Sequence, residues 1–81
     1  MPRKTRSLLT LSMLVALNRE PEFRMHLKAA LALGISRDEV QEVLLQAAVY
    51  CGVPAAIETT RIAAEVFGEA AALDPTGGKA G

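Results

Sequence analysis

A few helix-breaking and helix-starting residues cut this chain into four apolar blocks, and that punctuation limits the fold more than anything else in it. Pro2, Pro21 and Pro54 each stand where a helix can begin, because the first helical turn does not need the missing N–H. Gly34 and Gly52 stand where helices end, since glycine takes the conformation a helix C-terminus favours. Between them, Ser36-Arg37-Asp38-Glu39 is a capping box, with Ser36 as N-cap and Glu39 three residues on. No block alternates with a period of two and there is no internal repeat. The expectation is an all-α domain, a small bundle of about four helices.

The first helix is expected from Pro2 to Leu17. Leu8, Leu9, Leu11, Met13, Leu14 and Leu17 cover most of its circumference, so it needs cover on several sides. The second runs from Pro21 to Leu33, with Phe23, Leu27, Ala30 and Leu31 as its stripe and His26 on or beside it. The third follows the capping box and ends at Gly52. Val40, Val43, Leu44, Ala47 and Cys51 are expected on one face, with Glu39, Glu42, Gln46 and Tyr50 along the adjacent one. The fourth covers about Ala55 to Ala72, with Ala56, Thr60, Ala63, Val66 and Phe67 as its buried side. Residues 1–73 form the expected domain. Residues 74–81 lack a large apolar side chain and are expected to be a disordered tail.

Composition narrows the function. Nine Lys and Arg balance nine Asp and Glu, so the charge excess a nucleic-acid binder needs is missing. One cysteine excludes an intramolecular disulfide. No signal-peptide pattern opens the sequence and no apolar run is long enough for a membrane span, so neither nucleic acid nor membrane is an expected partner, and the cytoplasm is the expected location. Of the 81 residues, 51% are hydrophobic. A chain this small hides only about 60% of its unfolded surface. A homo-oligomer is therefore expected.

Four places carry candidate chemistry. His26, the single histidine, suits general acid–base work, but equally suits a partly buried ring satisfied by a carbonyl. Cys51 lacks the helix N-terminus or cations that activate a thiol, and reads as an inert core cysteine beside Tyr50. Glu39 is explained by the capping box, whereas Glu42, one turn on, faces either solvent or a pocket. Arg6, with Arg3 and Lys4 near a helix N-terminus, suits a carboxylate ligand or is simply an exposed basic end. One His and one Cys make no zinc site, and no glycine loop for phosphate is present.

Two stretches go further. Lys4-Thr5-Arg6-Ser7-Leu8-Leu9-Thr10-Leu11 leads to Ala16-Leu17-Asn18-Arg19-Glu20-Pro21-Glu22-Phe23-Arg24-Met25-His26. Gly34-Ile35-Ser36-Arg37-Asp38-Glu39-Val40 leads through Glu42-Val43-Leu44-Leu45-Gln46-Ala47-Ala48 to Tyr50-Cys51-Gly52-Val53-Pro54-Ala55-Ala56. Together, over about Lys4 to Phe67, they resemble the carboxymuconolactone decarboxylase family, and the run from Tyr50 to Ala56 resembles its decarboxylase branch.

The resemblance implies an alkylhydroperoxidase-D-like fold assembled as trimers or hexamers. It implies loss of CO₂ from a small anionic lactone, 4-carboxymuconolactone, to give the β-ketoadipate enol-lactone in protocatechuate catabolism. By resemblance His26 is the acid or electrophile, Arg6 holds a substrate carboxylate, and Glu42, Tyr50 and Cys51 line or orient the pocket. His26, Glu42 and Cys51 are thus the implied catalytic set, Arg6 and Tyr50 the implied substrate-binding one, with no cofactor and no metal. The wider family includes thiol peroxidases with a Cys-x-x-Cys-x-x-x-His motif. Counting back from His26, its cysteine positions fall on Arg19 and Glu22, and an upstream glutamate falls on Ser7, so peroxiredoxin activity is the lesser alternative. A non-enzymatic helical oligomerisation or binding module is the other. Decarboxylases of the family also carry an N-terminal segment with helices and tryptophans. This sequence has no Trp and is expected to be a form without that segment, which would otherwise cover residues 8–17 and part of the pocket.

Overall fold

The computed structural model describes residues 1–73, and these form four helices: α1 (Arg3–Ala16), α2 (Glu20–Ala32), α3 (Arg37–Cys51) and α4 (Val53–Leu73). No strand occurs among the described residues, so the all-α expectation holds. The expected tail at 74–81 lies outside the described residues.

The boundaries follow from backbone chemistry. α1 ends where Asn18 takes a φ of 58°, a left-handed conformation that asparagine tolerates better than most residues. α2 starts one residue before Pro21, which sits in its first turn. α3 opens on the complete capping box. The Glu39 N–H donates to Ser36 Oγ at 3.1 Å, and the Ser36 N–H donates to Glu39 Oε1 at 2.9 Å. Gly52, at φ 96°, lies in a region that side-chain-bearing residues rarely adopt. It turns the chain from α3 into α4 in a single residue, so α4 starts at Val53, two residues earlier than Ala55.

The core lies where all four helices meet. Leu11 and Val15 of α1, Phe23 and Leu27 of α2, Val40 and Leu44 of α3, and Ile62 and Val66 of α4 are buried together, with Ile35 from the α2–α3 loop. On α4 the buried polar residue is Thr59, not Thr60, and Ile62 is buried too. Residues 56, 59, 62, 63 and 66 keep helical spacing, while Thr60 lies about 100° further round the helix and is exposed. The Thr59 hydroxyl donates to the Ala55 carbonyl oxygen at 2.9 Å, which satisfies it inside the helix.

Two polar clamps fix the helices outside the core. Arg24 of α2 pairs with Glu65 of α4, Lys28 with Glu69 at 3.4 Å, and Arg61 with Glu58 and Glu65 at 2.6 Å each. The guanidinium of Arg37, in the first turn of α3, lies 4.8 Å from the centre of the Phe67 ring on α4. α1 keeps an uncovered apolar row: Leu11 and Val15 are buried, whereas Leu9, Met13 and Leu17 are exposed.

Candidate functional site

α1 and α3 lie side by side and leave an open groove of about 630 Å³ between them. Near their N-terminal ends the Lys4 side chain lies beside Gly34, just before α3. A Cβ at Gly34 would stand 3.6 Å from Lys4 Cε, and the positive φ there disfavours any other residue. Helical spacing then aligns two walls. Thr5, Leu8, Leu9, Ser12, Met13 and Ala16 of α1 form a wall that is mainly apolar with two hydroxyls. Glu39, Glu42, Gln46 and Tyr50 of α3, four positions along one side, form a polar wall that ends at Cys51.

The electrostatics of this wall differ between its two carboxylates. Glu39 is committed to the capping box. The backbone N–H of Ser36 stabilises its charged form and holds its pKa below the usual 4.5, with the Ser36 hydroxyl and the Lys4 charge adding to the effect. Glu42 is exposed, has no ion-pair partner among the described residues, and lines the groove. Of the two, Glu42 is therefore the carboxylate open to a ligand.

The structure brings together three of the five candidate residues. Glu42, Tyr50 and Cys51 share one wall. Cys51 is not the core cysteine that the sequence suggests: it is exposed. The buried positions of α3 end at Ala47, and Cys51 is the last residue of the helix, at the turn into α4. Arg6 is exposed on α1. Its helical position puts it on the flank of the groove, next to that of Met13. His26 is exposed on α2 and does not line the groove. Phe23, Leu27 and Ala30 carry the buried stripe, so His26 lies beside it, on the opposite flank from Arg24 and Lys28. Sequence reasoning missed the α1 wall. The row from Thr5 through Leu8, Leu9, Ser12 and Ala16 carries the signal, since it keeps helical spacing on one side, but Leu11 and Val15 mask it by making the helix apolar all round.

The family model described as the carboxymuconolactone decarboxylase family matches residues 1–65. A 4-carboxymuconolactone decarboxylase of Acinetobacter baylyi is 46% identical over 67 residues, which is 83% of this chain and 50% of that protein. A nitrosuccinic acid decarboxylase of Metarhizium robertsii is 43% identical over 56 residues, 69% of this chain and 39% of that protein. An uncharacterized 15.0 kDa protein of Paracoccus denitrificans is 35% identical over 68 residues, 82% of this chain and 51% of that protein. The chain thus spans about half the length of the curated relatives it matches, or less. All four helices contribute to the matched region, including both walls of the groove. The chain belongs to the carboxymuconolactone decarboxylase family.

Proposed function

We propose that the α1–α3 groove binds a small carboxylated lactone and promotes loss of CO₂ from it, with 4-carboxymuconolactone as the substrate. The observation that supports this reading most is the wall that puts Glu42, Tyr50 and Cys51 together opposite an apolar wall. Breaking the bond to CO₂ leaves an electron pair conjugated into the lactone carbonyl. In this reading the Tyr50 hydroxyl, which lines the groove, donates to that oxygen, and an acid then returns a proton to carbon. Glu42 is the acid–base group within the groove. Arg6, on its flank, is the cation for a substrate carboxylate. The substrate's own carbonyl takes up the electrons, so the reaction calls for no cofactor.

His26 keeps the acid role that the resemblance gives it only across a subunit contact, because within one chain it stays outside the groove. The reading therefore includes a homo-oligomer. The test is CO₂ release from 4-carboxymuconolactone, with nitrosuccinic acid, taken from the name of the Metarhizium relative, as the competing substrate. The lactone is expected to turn over, and Glu42→Gln to lower kcat by about 10²–10⁴-fold with helicity unchanged. A folded chain that releases CO₂ from neither compound contradicts the reading. Preference for nitrosuccinic acid replaces the substrate and keeps the groove.

A further inference from the structure

The polar wall of the groove holds one side chain that neither the capping box nor the proposed chemistry uses. Gln46 lies one turn beyond Glu42 and one turn before Tyr50 on α3, so the three stand in a row at steps of about 6 Å along the helix. Its amide lines the groove, and it makes no hydrogen bond among the described residues. The two walls start from the same end, where Lys4 lies beside Gly34. Ser12 comes seven residues after Thr5 in one wall and Gln46 seven after Glu39 in the other, so each stands about 10 Å along its helix from that end. The Ser12 hydroxyl donates its one hydrogen to the Leu9 carbonyl oxygen at 2.7 Å, and offers a ligand lone pairs only. Glu39 is held by the capping box. In the middle of the groove the free N–H donor is therefore the Gln46 amide.

We propose that Gln46 determines the choice of a lactone, by donating its amide N–H to the ring oxygen of the ligand. The inference rests on the lactone reading of the groove and adds a residue to it. In a lactone that carries its departing carboxylate on the carbon beside the ring oxygen, that oxygen lies between the carbon that loses CO₂ and the carbonyl carbon. Gln46 lies between Glu42 and Tyr50 in the same order. One hydrogen bond at the centre therefore orients both ends of the ligand, with the carbonyl toward Tyr50 and the carbon that loses CO₂ toward Glu42. An open-chain acid has no ring oxygen for the amide to meet. The contact thus separates cyclic esters from open-chain acids of the same charge, which a cation such as Arg6 cannot do.

Two ligands that differ in one ring atom make the test: muconolactone, and its carbocyclic analogue with CH₂ in place of the ring oxygen. Both keep the carboxylate and the carbonyl. Their affinities are measured by calorimetry on the full chain, Gln46→Ala and Gln46→Glu. Gln46 is exposed on a helix, so both variants are expected to keep the helicity of the full chain. The ratio of lactone to carbocycle affinity is expected to fall about three- to tenfold in Gln46→Ala, the range of one hydrogen bond made in competition with water. The fall should come from the lactone alone, with carbocycle binding unchanged. Gln46→Glu sets an oxygen against an oxygen, and is expected to bind the lactone more weakly than Gln46→Ala. A ratio that is unchanged in Gln46→Ala, or equal loss of both ligands, overturns the role of Gln46. CO₂ release from 4-carboxymuconolactone by the full chain then keeps the decarboxylase reading standing. A full chain that binds neither ligand overturns the role of Gln46 and the groove together.

Discussion

The guanidinium of Arg24 on α2 donates a hydrogen bond to the carboxylate of Glu65 on α4, across forty-one positions of sequence. The same carboxylate accepts from Arg61 one turn back on its own helix at 2.6 Å. Glu65 thus ties α2 to α4 on the side away from the α3–α4 corner. Exposed pairs of this kind contribute little singly and are screened by salt. Glu65→Gln is expected to lower the melting temperature slightly in dilute buffer, with the difference from the full chain shrinking as salt is added. Thermal unfolding by circular dichroism at two ionic strengths checks this. A difference that grows with salt would refute the ion-pair account.

Acid should unfold the chain through the same groups. Arg24 holds the Glu65 carboxyl below its usual pKa of 4.5, first by its hydrogen bond and then by its charge, with Arg61 adding to it. The Ser36 backbone N–H does the same for Glu39. At a given acidic pH the folded chain therefore binds fewer protons than the unfolded one at these two sites. Their contribution is fully present above the unfolded value near 4.5 and is lost as the pH falls through the lower folded values. The melting temperature is expected to be flat with respect to these two groups near neutrality and to fall below about pH 4.5. In Glu65→Gln the acid fall should be shallower.

The capping box is a local test of the α3 N-terminus. Ser36→Ala removes the acceptor for the Glu39 N–H and is expected to cost about 1 kcal/mol. The effect should appear in denaturant midpoint with an unchanged slope. A loss near zero would mean that water or Glu39 alone satisfies the helix start.

Core truncation sets the scale for these surface effects. Phe23 is fully buried where α2 meets the core, and Phe23→Ala is expected to cost about 3–5 kcal/mol. That is a large share of what a domain this small holds, so the variant should be partly unfolded at room temperature. A cooperative transition near that of the full chain would place Phe23 outside the core.

The sequence announced its helices because their ends are fixed by local chemistry. Ser36 with Glu39, Gly52 and Pro21 act over three or four residues and need no tertiary information. The buried face of α4 was less legible. Thr59 and Thr60 are adjacent and chemically identical, and only the packing of α4 on its neighbours decides which goes in. Cys51 was misplaced for a related reason: periodicity continues an apolar face to the end of a helix, but the burial of α3 ends at Ala47, a turn before the helix does. The groove was half legible. Glu42, Gln46 and Tyr50 stand on one side by spacing alone, while the α1 wall depends on how two helices sit against each other. For His26, spacing gave its place beside the α2 stripe but not its exposure.

Exposure of Cys51 reverses the expectation of an inert thiol. A maleimide reagent is expected to label the native chain to completion at one site per chain, without denaturant. Labelling that needs denaturant would contradict the exposed position of Cys51 at the end of α3.

The most direct measurement of the central claim, that the groove between α1 and α3 is where ligand binds, is an amide-shift titration of the folded chain with muconolactone, a stable carboxylated lactone. Binding to the groove predicts shifts at Ser12, Glu42, Gln46 and Tyr50, with the α2–α4 ion-paired side unmoved, and a weaker response in Arg6→Gln. Shifts confined to residues around Lys28 and Glu69, or none at saturating ligand, would contradict it.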